Sequence, residues 1–194
     1  MKRATTADKK LVIGILTDSF RDNKSVQYII QGSKDKDRAL WELMDYSFEM
    51  CMSFGDVFLS KDNSGCVLLL YPEKKSTTPY SIWLDLKLCL KCIGLSNIKR
   101  VLQRETKIKA IQKMVKYHTS YLWFIGTASS SQKKGIGSQL LREVLTEAER
   151  GGRNVILETS TLKNLPWYSK FGFSVYNELD LGYTLYFLER IYYQ

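Results

Sequence analysis

Two glycines in Gln132-Lys133-Lys134-Gly135-Ile136-Gly137-Ser138 stand at the entrance of an amphipathic helix. Glycine lets a backbone approach a ligand closely. A helix N-terminus offers unpaired N–H donors and partial positive charge, so the chemistry on offer is the binding of a phosphate or pyrophosphate. Lys133 and Lys134 add charge at the same place. Spacing narrows the type of loop. A Walker-type loop needs Gly-x-x-x-x-Gly-Lys-Ser/Thr, and here Gly137 is followed by Ser138-Gln139. A dinucleotide fingerprint needs a small third residue, where Leu140 stands, and must leave its strand directly. The apolar run 121–127 ends well before Gly135. What remains is a strand, a short polar loop, Gln-x-x-Gly-x-Gly and a helix.

Other residues able to do chemistry lie close by in sequence. Glu158 ends an apolar run, and Asn164 and Tyr168 share a short aromatic segment closed by Phe171-Gly172-Phe173. Cys89-x-x-Cys92 has the spacing of a zinc or redox motif. It falls inside a helical pattern, no second pair exists, and His118, the single histidine, is remote. Buried free thiols are the expectation, with no metal.

These residues need elements to position them. Leu140, Leu141, Val144, Leu145 and Ala148 recur at helical period after the loop, and Gly151-Gly152 signals the helix end. Residues 154–159 read as a buried strand, 164–173 as a short helix started by Pro166, and 173–179 with 183–190 as a final strand pair. In the front half, 10–18 reads as an opening strand, 25–31 and 37–53 as helices, and 56–60 with 66–71 as a hairpin around Lys61-Asp62-Asn63-Ser64-Gly65. Two helices, about 80–94 and 97–115, lead into a strand at 119–127. The mixture of hairpins and crossovers predicts an α/β (α+β) fold, a mixed and mostly antiparallel sheet flanked by helices.

The 194 residues suit one domain with a real core, 1–194. The apolar run 11–16 is too short for a signal peptide and lacks a cleavage site, and no run approaches membrane-spanning length. The cytoplasm is the expected compartment, with no membrane partner. The net charge of +9 is concentrated between Lys87 and Lys116, which hold nine Lys/Arg against one acid, Glu105. Apolar residues at helical spacing make the cations a solvated face first and an attractor of anionic cofactor second. No nucleic-acid fold signature accompanies them, so no nucleic-acid partner is expected.

From about residue 117 to 190 the chain resembles the GNAT superfamily of acyl-CoA-dependent N-acyltransferases. The resemblance rests on three features in order: Gln132-x-x-Gly135-x-Gly137, the strand ending Leu157-Glu158-Thr159, and Asn164-x-x-x-Tyr168 running into Phe171-Gly172-Phe173. It implies a GNAT-like fold and an acetyl-CoA-dependent N-acetyltransferase with direct transfer to a small-molecule or peptide amine. The alternative is a non-catalytic acyl-CoA-binding or sensor module. Residues 1–116 would form the acceptor side, with extra helices, and 117–194 the acyl-CoA side, in a monomer or homodimer. Phe124, Ile125, Gly126 and Thr127, splayed from the strand 155–159, would offer backbone groups to the pantetheine arm and thioester. Gln132, Lys133, Lys134, Gly135, Ile136, Gly137 and Ser138 would hold the pyrophosphate, Asn164 the pantetheine amides, and Tyr168 would be both a cofactor contact and the general acid. The chain departs from the pattern at the base. The position of a Glu in some branches holds Tyr121, and Glu158 is the nearest carboxylate. Catalysis by Glu158, orientation of the loop and pairing with a lysine stand level, with deprotonation through water expected.

Overall fold

The computed structural model describes residues 1–115 and 118–192. Its elements in order are β1 (Lys2–Arg3), α1 (Lys9–Phe20), α2 (Lys24–Ile30), α3 (Lys36–Phe54), β2 (Gly55–Leu59), β3 (Gly65–Leu70), α4 (Pro79–Leu88), α5 (Ile98–Gln112), β4 (Thr119–Thr127), α6 (Ile136–Arg150), β5 (Asn154–Thr159), α7 (Leu165–Ser169), β6 (Ser174–Asp180) and β7 (Thr184–Arg190). The strands form one seven-stranded sheet in the order β1-β2-β3-β4-β5-β7-β6. Among the described residues only β4 and β5 pair in parallel; the rest is antiparallel, as the pattern of hairpins predicted.

One expectation fails at the front. Residues 10–18 are not a strand but most of α1. Val12, Ile13, Ile15 and Leu16 are buried while Leu11 and Gly14 face outward. That burial follows a helical face rather than alternation. A continuous apolar run carries no period of its own, and here packing against β4 and α3 overrides the β-preference of Val and Ile.

The sheet separates two cores. On one face α1 and α3 cover Val57, Leu59, Cys66, Leu68 and Phe124. Farther along that face, Ile108 of α5 packs on Leu185 and Phe187. On the other face α6 and α7 cover Val67, Leu69, Leu122, Val155, Leu157 and Leu188. The expected 80–94 helix is α4 followed by a π turn, Cys89–Ile93. The Cys89 and Cys92 thiols lie on that turn, Cys92 buried and Cys89 half-buried, and neither is in a disulfide. Burial pushes the Cys92 thiol up to about 12, so it stays protonated and inert.

The basic segment is less uniform than its sequence suggests. Lys87 turns inward to Asp45 and Glu42 of α3, and the Arg100 guanidinium lies 4.0 Å from the Tyr28 ring. Arg104 is buried, and Lys99, Lys107, Lys109 and Lys113 are exposed. Lys116 and Tyr117, which close the basic run and open the resemblance, lie outside the described residues.

Candidate active site in the split between two strands

The site is built where the parallel pair comes apart. β4 and β5 are in register only at Thr119–Asn154, Ser120–Val155 and Tyr121–Ile156. Beyond Tyr121 the β5-facing edge of β4 has no strand partner, so its backbone groups are open to a ligand. The register on the other edge shows why β4 changes course. Leu69 pairs with Leu122 and Leu68 with Phe124, leaving Trp123 as an extra residue, a bulge that bends the strand just where the split opens. The splaying expected of 124–127 from 155–159 is present.

At the far end of β4 the neighbours are specific. Ser19 of α1 donates from its hydroxyl to the Thr127 carbonyl at 2.7 Å, and the Ser129 N–H donates to Asp18 at 2.6 Å. A side chain at Gly126 would meet Ser19 and Leu16 at 2.9 and 3.3 Å. Gly126 is therefore required by the close approach of α1, and the Thr127 carbonyl is already occupied. Phe124 packs edge-on against Phe20 of α1, and Ile125 turns to the opposite core.

The loop after β4 enters α6 through Gly135, the N-cap, at φ +81°. Lys133 also has positive φ, +63°. The N–H groups of residues 133–138 donate to no acceptor among the described residues. Gly137 leaves ordinary clearance, 3.9 Å to Thr127 and 4.0 Å to Trp167. The Trp167 indole N–H donates to the Ser138 hydroxyl at 3.0 Å and ties α7 to the loop. Gln132, Lys133 and Lys134 are exposed, and Ile136 is half-buried against the α6 core. Unpaired N–H groups at a helix entrance, with exposed lysines beside them, have the chemistry to receive an anion.

Tyr168 lies on this same face, buried between Trp167 and Phe173 at ring separations of 4.7 and 5.6 Å. Burial raises its phenol well above the ordinary value, and its hydroxyl bonds to nothing among the described residues. Asn164 precedes α7, and its side chain makes no cap.

Glu158 lies on the opposite face. It is in register with Phe187, which packs under α5, whereas Leu157 and Leu188 face α6. Its carboxylate has two partners. The Tyr121 hydroxyl donates to one oxygen, and the Gln112 side chain donates to the other at 2.8 Å. No lysine approaches it among the described ion pairs. Burial raises the Glu158 pKa above its ordinary value, opposed by the Tyr121 and Gln112 hydrogen bonds. Burial and the Glu158 charge together hold the Tyr121 phenol well above its usual range, so it remains a donor. Sequence reasoning named Glu158 and Tyr121 separately; their hydrogen bond and the part of Gln112 carried no local signal.

Residues 100–175 match the model of the acetyltransferase (GNAT) domain. That stretch of the chain is similar to a GNAT acetyltransferase domain. The matched stretch runs from α5 to the start of β6 and includes the split, the loop, Glu158 and Tyr168. An uncharacterised N-acetyltransferase of Schizosaccharomyces pombe is 27% identical over 188 residues, covering 89% of this chain and 73% of that protein. Among solved structures, the histone acetyltransferase HPA2-related protein of Corynebacterium glutamicum superimposes with a TM-score of 0.70 at 17% identity, over 100% of this chain and 96% of its own. A GNAT family acetyltransferase of Brucella melitensis, solved with acetyl-CoA, gives a TM-score of 0.52 at 12% identity, over 100% and 87%. The GNAT fold expected from the motifs is therefore present. No helix among the described residues is long and apolar enough to cross a membrane.

Proposed function

We propose that the protein is an acetyl-CoA-dependent N-acetyltransferase that transfers the acetyl group directly to a primary amine. The observation that carries this reading is the pair of candidate groups on opposite sides of one split: Tyr168 with the α6 face, Glu158 with the α5 face. A thioester held between β4 and β5 would present its sulfur to one and its carbonyl carbon to an amine arriving from the other. The six free N–H groups of residues 133–138 would receive the pyrophosphate, with Lys133 and Lys134 at the rim and Gln132 at the loop entrance. Asn164 would bond the pantetheine amides, and the open edge of Phe124–Thr127 would take the arm itself.

The chemistry follows in order. The ammonium form of the acceptor loses a proton to Glu158, directly or through one water, which leaves a neutral amine. Its nitrogen attacks the thioester carbonyl carbon, gives up a second proton to solvent, and the carbon–sulfur bond breaks. The sulfur leaves as a thiolate, to which Tyr168 offers its proton. The raised pKa of Glu158 suits it to accept a proton near neutrality, because a stronger base matches an ammonium better. Tyr121 acts through Glu158, as its donor, rather than as a base. The sequence left Glu158 level with a structural role; its two donors and its position at the split favour the catalytic one. Residues 98–112, part of the acceptor side formed by 1–116, lie against the acyl-CoA half, 117–194. Unpaired thiols suit a reducing compartment, here the cytoplasm.

Free-thiol release from acetyl-CoA over a panel of primary amines tests the reading. Amine-dependent release supports it. Acetyl-CoA binding without release for any amine would favour the sensor module instead.

A further inference from the structure

Helix α5 presents Arg104, Ile108 and Gln112 at four-residue spacing, one stripe on one helix face. The whole stripe is anchored to the acceptor side of the sheet. The Arg104 guanidinium is buried and donates to the Tyr183 hydroxyl of the β6–β7 turn at 3.2 Å, to the Ser25 hydroxyl of α2, and to Glu105. Ile108 sits on Leu185 and Phe187. Gln112, two turns beyond Arg104, reaches the Glu158 carboxylate at 2.8 Å. The contact joins α5 to β5 across 46 residues of sequence, and it is one of the two hydrogen bonds that Glu158 accepts.

We infer that Gln112 is a positioning residue for acetyl transfer: anchored through α5 by Arg104, it fixes the orientation of the Glu158 carboxylate and its readiness to take a proton. This rests on the reading of Glu158 as the base. The physical basis is simple. A carboxylate can rotate about its last bond, and its lone pairs must face the incoming amine. Tyr121 holds one oxygen from β4. Without a donor on the other oxygen, the group could turn about the Tyr121 bond. An amide donor also favours the charged form, so it holds the carboxylate available as a base at lower pH.

The charged and titratable groups facing Glu158 come from three elements: Tyr121 from β4, Arg104 and Glu105 from α5, and Tyr176 from β6. Arg104 favours the carboxylate form and Glu105 opposes it. The Tyr176 hydroxyl is buried without a partner among the described residues, and burial raises its pKa, so it adds no charge. Gln112 is thus a neutral donor within a set of groups whose charges do not change when it is replaced.

The experiment is the pH profile of kcat/KM for wild type, Gln112→Leu and Gln112→Glu. Leucine fills a similar volume and keeps the helix, but it removes the donor. The acidic limb is expected to move to higher pH, with kcat/KM on that limb down by about tenfold and most of the loss recovered at high pH. Glutamate places a second carboxylate against the first, and the two share a proton, so the limb moves further in the same direction. Cofactor affinity stays at the wild-type value in both. A Gln112→Leu protein with an unshifted limb and full kcat/KM would overturn the inference, as would a loss equal at every pH. Glu158→Gln in parallel separates the two readings. If it retains full activity, the base assignment itself fails; if it is inactive while Gln112→Leu is unaltered, only the role of Gln112 fails.

Discussion

The two sides of the β4–β5 split are built by different means. The α6 side is assembled from one stretch of chain, Leu122 to Phe173, and offers mostly backbone: free N–H groups at a helix entrance and a strand edge without a partner. Its one titratable candidate, Tyr168, stands among aromatic rings without a hydrogen bond. The α5 side is assembled from α2, α5, β4, β5 and the β6–β7 turn, and its polar side chains form two hydrogen-bonded groups, Arg104 with Ser25, Glu105 and Tyr183, and Glu158 with Tyr121 and Gln112. Backbone recognition suits a cofactor whose phosphates and amides are fixed features. A linked set of side chains suits control of a proton on a carboxylate.

If that division is right, the largest loss should come from the linked side. Glu158→Gln is expected to lower kcat/KM by roughly 10²–10⁴ and to erase the acidic limb of the pH profile, with acetyl-CoA affinity unchanged. The sign follows from the raised pKa. Glu158 works when deprotonated, so activity in the parent enzyme climbs as pH rises through that elevated value and fades below it. A variant with near-normal turnover would return deprotonation to water alone.

Removing the acid tests the other side. Tyr168→Phe should lower kcat by roughly 10²–10³ with little change in cofactor affinity, because a ring of the same shape still fills the space between Trp167 and Phe173. Equal turnover by both proteins across an amine series would leave Tyr168 with packing alone.

The backbone reading is sharpened at Gly137 rather than at Gly135. Gly135 holds φ +81°, where any β-branched residue is strained, so its replacement would confuse folding with binding. Gly137 is helical and has room. Gly137→Val is expected to weaken acetyl-CoA binding by about tenfold, about 1.4 kcal/mol, as its methyls crowd the phosphate concavity, while thermal stability changes little. Unaltered affinity by calorimetry would move the pyrophosphate elsewhere.

The smallest effect on the plateau rate belongs to Tyr121→Phe. Losing its hydrogen bond removes one influence that lowers the Glu158 pKa, so the acidic limb should shift to higher pH with the plateau rate nearly intact. A collapse of the plateau would make Tyr121 a participant in the reaction rather than a donor to Glu158.

The sequence by itself determined the α6 side. Gly-x-Gly before a helical apolar period, a buried strand, and Pro and Gly bracketing a short helix are local signals, because each reports the conformation of its own few residues. It also determined the hairpin at 56–71 and the helices 24–30 and 36–54, to within a residue or two. It did not determine α1. Six consecutive apolar residues fit a strand or a buried helix equally well, and only contact with β4 and α3 selects the helix. The bulge at Trp123, the need for Gly126 opposite Ser19, and the inward turn of Lys87, Arg100 and Arg104 were likewise decided by tertiary structure. So was the α5 side as a unit. Tyr121 and Gln112 lie 37 and 46 residues from Glu158, and a hydrogen bond between side chains leaves no period or spacing in the chain that makes it.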